Sequence, residues 1–246
     1  MDLRAILFDV NSTLVDIETD ERRTEIYDTL SRFLLYQGIT WSPDALRERY
    51  FQVMTEQRRA SQEAYPEFDA VAIWRVLLHE GQGAAPALPP AKRQQLPLFL
   101  AELHRALAHK RLVLYPDVRR VLDTLHPRYA LGVITDAQSA YAVPELREVG
   151  LADLFTPIVV SGDYGYRKPD PRLFATALAA LHLRPDQAIY VGNDMYCDIF
   201  GAQQAGIRAV FFATQFGKKA YAQVVPDYTI QRFADLPTAV AVLAAR

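Results

Sequence analysis

Two rhythms of hydrophobic positions divide this chain. Residues 3–10 are mostly apolar, with Ala5-Ile6-Leu7-Phe8 uninterrupted, the pattern of a parallel strand covered on both faces. From Asp20 to about Lys110 the apolar residues recur at helical spacing instead: Ile26, Leu30, Phe33 and Leu34, then Ala45, Leu46, Tyr50, Val53 and Met54. Ser42-Pro43-Asp44 opens the second of these helices with a capping hydroxyl, a proline at the first helical position and an acidic first turn. Further helices are predicted from Ala70 to His79 and from Ala91 to His109, separated by the Gly/Pro/Ala-rich loop from Gly81 to Pro90.

After Tyr115-Pro116-Asp117 helices and strands alternate. A helix is predicted from Val118 to Leu125, a strand from Ala130 to Thr135, a helix from Val143 to Val149 ended by Gly150, and a strand from Ile158 to Ser161. A helix from Pro171 to Leu181, a strand from Ala188 to Val191, a helix ended by Gly206 and a strand from Arg208 to Phe212 follow. Such alternation implies right-handed crossovers and an α/β fold, a doubly wound parallel sheet of Rossmann-like type. The helical stretch interrupts that sheet after its first strand. It reads as an inserted α-helical cap over residues 17–112, with the core formed by 1–16 and 113–246. No internal repeat or low-complexity tract is visible.

Composition narrows the function classes. The 246 residues are 50% hydrophobic, enough to bury a substantial core. The formal net charge of -2 gives no electrostatic reason to expect a nucleic-acid partner, and Lys218-Lys219 is too short a basic run to suggest one. One cysteine, Cys197, excludes an internal disulfide, and the five histidines are scattered, so neither residue type forms a metal cluster. Met1-Asp2-Leu3-Arg4 runs directly into a strand, and no apolar stretch approaches the ~20 residues of a membrane span. These features predict a cytoplasmic protein with no membrane partner; a homodimer is left open.

The candidate chemistry sits at strand ends. Asp9-Val10-Asn11-Ser12-Thr13 sets a carboxylate on the tip of the first strand, where ligands bind in open α/β sheets. Thr135-Asp136 ends a second strand. Lys168 lies in Tyr166-Arg167-Lys168-Pro169-Asp170-Pro171, after a third, with prolines stiffening the loop that aims it. Gly192-Asn193-Asp194-Met195-Tyr196-Cys197-Asp198 follows a fourth. Taken singly, each segment is also a common cap, loop or turn. In order and placement the four together resemble motifs I to IV of the haloacid dehalogenase superfamily, in its helical-cap, phosphatase-like subgroup.

That resemblance implies roles. Asp9 is the nucleophile, attacking phosphorus to form an acyl phosphate and so dividing one difficult hydrolysis into two easier steps. A hard cation, Mg²⁺, sits between the phosphate and the carboxylates, held by Asp9, the backbone carbonyl of Asn11 and motif IV. Asp194 is the preferred direct ligand, with Asn193 and Asp198 direct or through water. Lys168 neutralises the phosphate and keeps Asp9 ionised, while Thr13 and Thr135 orient or donate. The chain departs from the pattern at Asn11, where the superfamily's usual phosphatase motif has an aspartate that protonates the leaving group and activates water. It departs again at Asp136, where asparagine is more frequent; Asp136 is expected to turn away as a helix cap or to receive a cationic part of the substrate. Cys197 is expected as a packed thiol.

Three functions are compatible with these residues. A Mg²⁺-dependent phosphatase of a small phosphorylated metabolite uses every motif, but with Asn11 in the acid/base position. Loss of general acid–base help is worth roughly 10²–10⁴ in rate. A 2-haloacid dehalogenase, with Asp9 attacking carbon and halide leaving unprotonated, suits Asn11 but not the surplus carboxylates. A degenerate binding protein leaves the joint presence of Asp9, Lys168 and the motif IV acids unexplained.

Overall fold

The computed structural model describes residues 2–83 and 88–245. Its strands are β1 (Ala5–Phe8), β2 (Val15–Thr19), β3 (His109–Leu114), β4 (Ala130–Thr135), β5 (Ile158–Val160), β6 (Ala188–Gly192), β7 (Arg208–Phe212) and β8 (Tyr228–Ile230). Six of them form one sheet in the order β5-β4-β1-β6-β7-β8, every neighbouring pair parallel. The expected doubly wound α/β core is therefore present. Alternate residues of β1 serve opposite faces, as a fully covered strand requires. Ile6 and Phe8 join one buried cluster with Leu122, Val133, Val191, Phe233 and Leu243, whereas Ala5 and Leu7 join another with Ile134, Phe174, Tyr190 and Ile199.

Between β2 and β3 lie α1 (Thr24–Tyr36), α2 (Pro43–Ala60), α3 (Ala70–Gly81) and α4 (Pro90–Ala108). Ser42 caps α2 as expected, its Oγ accepting the Ala45 N–H at 3.3 Å. These helices bury their own cluster around Tyr27, Leu30, Tyr50, Trp74 and Leu100, with the His104 ring against Tyr27, Tyr50 and Trp74. The loop expected from Gly81 to Pro90 falls partly outside the described residues. The later helices are α5 (Val118–Leu125), α6 (Ser139–Glu148), α7 (Pro171–Ala180), the short α8 (Gly201–Gln204) and α9 (Leu236–Ala244).

Three features differ from the sequence reading. First, β2 and β3 pair antiparallel, Val15 opposite Leu114, so the chain enters and leaves the helical insert through one two-stranded ribbon. The expected cap boundaries at 16/17 and 112/113 cut these strands, which are half-exposed and too short to stand out beside a long helical pattern. Second, α6 starts at Ser139 and runs through Pro144. A proline inside a helix costs a hydrogen bond, but here Ala140 and Tyr141 of the first turn pack into the cluster of the insert. Third, the chain after Asp194 forms a π-helical turn, Met195–Phe200, before α8. Among the described residues, no helix is long and apolar enough to cross a membrane.

Candidate active site

Strand register brings the four motifs together. Phe8 lies level with Val191 of β6 and Val133 of β4, so Asp9 leaves the sheet between the ends of both neighbours. Its N–H is still held by the Val191 carbonyl at 2.9 Å. The chain order changes direction here, since β4 and β5 lie on one side of β1 and β6 to β8 on the other, and such a switch point opens a crevice. Ser12 then adopts a left-handed conformation (φ 63°) that turns the chain back on itself. The buried Thr13 hydroxyl thereby returns to Asp9, donating to Oδ2 at 2.9 Å, with Asn193 Oδ1 at 3.3 Å.

Lys168 reaches this point from the loop before α7. Its ammonium has three N–H groups and three acceptors: Asp9 Oδ1 at 2.7 Å, Asp198 Oδ1 at 2.7 Å and the Tyr190 hydroxyl at 3.1 Å. Only 3% of the side chain is exposed. Burial works against charge on Lys168, but Asp198 and Asp9 outweigh it and its pKa is raised. Burial lifts the Asp9 carboxyl to about 7, with Lys168 pulling it down and Asp198 adding to the rise. Two carboxylates thus share one buried ammonium. Tyr190 was missed in the sequence. Its signal is a phenol inside the otherwise aliphatic strand Ala188–Gly192, where a buried hydroxyl needs a partner.

The carboxylates after β6 are committed to the backbone. Asp198 Oδ2 accepts the N–H groups of Asn193 and Asp194 at 3.0 and 2.9 Å, and Gly192 is required because a Cβ there would overlap the Asp198 side chain. Asp194, expected as the direct cation ligand, caps the π-helical turn. Its Oδ1 accepts from Tyr196 and Cys197 N–H at 2.8 and 2.9 Å, and its Oδ2 from Lys218 N–H at 2.8 Å. Asn193, the residue directly after β6, is the one that lies beside Thr13. No group of three or more His, Cys, Asp or Glu side chains among the described residues is arranged to hold a metal.

Asp136 also corrects its expectation. It neither caps α6, whose N-cap is Gln138, nor stands free for a cation. Its Oδ1 accepts the Lys168 N–H at 2.9 Å and its Oδ2 meets the Arg167 guanidinium at 3.3 Å, so it braces the loop that carries the lysine. Thr135 is buried at the end of β4, beside that brace. Cys197 is a half-buried thiol pushed up to about 12 by burial, hence protonated and unreactive, as expected of a packed group.

Asn11 faces a cavity of about 460 Å³ between the sheet edge and the helical insert. Its Oδ1 is buried with no hydrogen-bond partner. The far wall carries Arg22, Phe51, Met54, Arg58 and Tyr141. The insert is fastened to the loops that bear the motifs: Gln138 accepts from Ala70 N–H and donates to the Phe68 carbonyl, and Arg167 N–H donates to the Tyr65 carbonyl at 2.9 Å.

Known proteins resemble the chain in sequence and fold. The chain is 34% identical over 114 residues to the glyceraldehyde 3-phosphate phosphatase of Pyrococcus furiosus, covering 46% of each. It is 27% identical over 212 residues to the enzyme of the same name from Methanopyrus kandleri, covering 85% of this chain and 83% of that one. It therefore spans about half the length of some curated relatives and most of others. A 2-haloacid dehalogenase from Pseudomonas syringae superposes with a TM-score of 0.69 at 27% identity, covering 98% of this chain and 99% of that one. The family model of haloacid dehalogenase-like hydrolases matches residues 6–212, from the first strand to the fifth of the parallel sheet in chain order, and the chain belongs to that family.

Proposed function

We propose that the chain is a phosphatase of a small phosphorylated metabolite, acting through an aspartyl phosphate on Asp9 and using Mg²⁺. The observation that carries this reading is the tip of β1, where Asp9 is held by one ammonium and one hydroxyl, with Asn193 alongside. A carboxylate oxygen of Asp9 attacks phosphorus, the bond to the ester oxygen breaks, and water later attacks the acyl phosphate to release phosphate and restore Asp9. Lys168 keeps Asp9 ionised against the effect of burial and offsets phosphate charge. Thr13 fixes the orientation of Asp9, and Thr135 orients the phosphate. The names of the phosphatase relatives support the same class of substrate.

The oxygens that would hold Mg²⁺ are those of Asp9, the Asn11 main-chain carbonyl and Asn193 Oδ1. Asp9 Oδ2 and Asn193 Oδ1 converge on the Thr13 hydroxyl, and one carboxylate with neutral oxygens suffices when substrate phosphate completes the set. Bound there, the ion would supply positive charge between Asp9 and the phosphate.

Asp9→Asn should abolish phosphate release while preserving the fold, and beryllium fluoride should trap an adduct on Asp9 of the parent protein. Retained turnover in the variant overturns the covalent mechanism. A second reading, attack of Asp9 on carbon as in a 2-haloacid dehalogenase, is favoured by the amide at Asn11 and by the commitment of Asp194 and Asp198 to backbone groups. Halide release in the presence of a chelator would establish it. A binding protein would release neither.

A further inference from the structure

The charges around the cavity are matched except for one. Four arginines and three carboxylates line it. Each carboxylate has an arginine partner: Glu21 with Arg105 at 2.7 Å, Glu67 with Arg58 at 3.5 Å, and Asp136 with Arg167 at 3.3 Å. Arg105 is held a second time by the buried Glu145 at 2.6 Å. The remaining arginine, Arg22, has no carboxylate within ion-pair distance among the described residues. Its guanidinium carbon lies 3.9 Å from the centroid of the Phe51 ring, which keeps it over an apolar surface on the wall of the insert.

We propose that Arg22 is the anchor for a second anionic group of the substrate, a carboxylate, so that the substrates are short phosphorylated carboxylic acids. This deepens the phosphatase reading and rests on Asp9 and Lys168 receiving the phosphate. An unpaired guanidinium offers a planar fork that suits a carboxylate. A single unpaired cation also matches a carboxylate monoanion better than a second phosphate, whose double charge would face Glu21, Glu67 and Asp136 with only Arg22 free. The cavity is large enough for a substrate of a few carbons. Phe51 and Met54 suit its aliphatic part.

Stable phosphonates separate this from turnover. Calorimetry on the intact protein with Mg²⁺ would compare ω-phosphonocarboxylates with the alkylphosphonates and bisphosphonates of matching length. The carboxylate series should bind about ten- to a hundredfold more tightly than the alkyl series, the range of one charge-assisted hydrogen-bonded pair. Arg22→Met should erase that preference while leaving alkylphosphonate binding unchanged, and Arg22→Lys should restore part of it. Equal binding of the two series, no binding of either, preference for the bisphosphonates, or a carboxylate preference that survives Arg22→Met would each overturn the proposal. If the preference holds but the corresponding phosphate esters are not hydrolysed, the phosphatase reading fails and the role of Arg22 stands.

Discussion

At the sheet edge Lys168 gives all three N–H groups to Asp9, Asp198 and Tyr190 and is 3% exposed; across the cavity Arg58 holds Glu67 at 3.5 Å and is 38% exposed. Both regions pair positive with negative charge, but burial gives the pairs different consequences. Arg58 is half-exposed, and its buried partner Glu67 also accepts from the Ser161 hydroxyl and the Phe68 N–H, so Arg58 can turn to a ligand or water without stranding the carboxylate. A buried cation shared by two carboxylates cannot leave without stranding them. The strand ends therefore hold Asp9, Lys168 and Asp198 in fixed positions, whereas Arg58 on the wall of the insert is free to move.

The largest contrast should come from removing each cation. Lys168→Met leaves Asp9 and Asp198 buried without a counter-charge, so it should cost about 3–5 kcal/mol of stability and abolish turnover. Arg58→Met should cost clearly less, about 1–2 kcal/mol, because Ser161 and the Phe68 N–H still donate to the buried Glu67. Urea unfolding of the two variants tests the comparison, and equal losses would break it.

Asn11 lies where the two regions meet. Asn11→Asp supplies a group that can transfer a proton, and should raise turnover by up to about 10²–10⁴ on alkyl phosphates and less on aryl or acyl phosphates, whose leaving groups need little protonation. A flat response on both would place the slow step elsewhere, in opening of the insert or in a reaction whose leaving group needs no proton.

The helical insert has a buried group of its own in His104, which is 1% exposed. The Tyr27 hydroxyl donates to the Glu21 carbonyl at 2.8 Å and so must accept from His104 Nε2 at 3.0 Å, leaving Nδ1 as an unpartnered lone pair. A second proton would have no acceptor, and burial lowers the pKa from 6.5 to about 4. Because the folded value lies below the unfolded one, the stabilisation is complete above pH 6.5 and is lost as pH falls from there toward 4. The loss should reach roughly 3 kcal/mol. It should disappear in His104→Gln, measured as chemical unfolding against pH. A parallel decline in that variant would assign the acid sensitivity to other groups.

The sheet edge was more legible in the sequence than the cavity wall, for a physical reason. Strand ends are marked by short apolar runs, so Asp9, Thr135, Lys168 and Asn193 could each be placed on an edge before any fold was known. Helix α5, strand β4 and strand β7 coincide with their predicted spans, because alternation and turn residues bound them locally. What remained hidden depends on distant contacts. Tyr190 looks like one more residue of a buried strand until Lys168 arrives from 22 positions away. Arg22 is one of several arginines in the insert until Glu21, Glu67 and Asp136 are seen to have chosen others. Spacing alone does not separate Asn193 from Asp194, because which of the two stands beside Thr13 depends on contacts between distant segments.

That last point yields the finest test of how charge is distributed at the sheet edge. Asn193 stands beside Thr13 and Asp9, its Nδ2 donating to Thr214 Oγ1 at 3.2 Å. An aspartate there could instead accept from the Thr214 hydroxyl, keeping its orientation while adding a second carboxylate. Asn193→Asp should therefore tighten Mg²⁺ binding in the absence of phosphate by about tenfold, some 1.4 kcal/mol. Asp194→Ala removes a cap whose oxygens accept three backbone N–H groups, and should lower stability by about 0.5–2 kcal/mol while leaving Mg²⁺ affinity within about twofold. Calorimetric titration of both variants separates the two positions. A severe loss of Mg²⁺ binding in Asp194→Ala, with no gain in Asn193→Asp, would return the ligand role to Asp194 and require the turn from Met195 to Phe200 to rearrange around the ion.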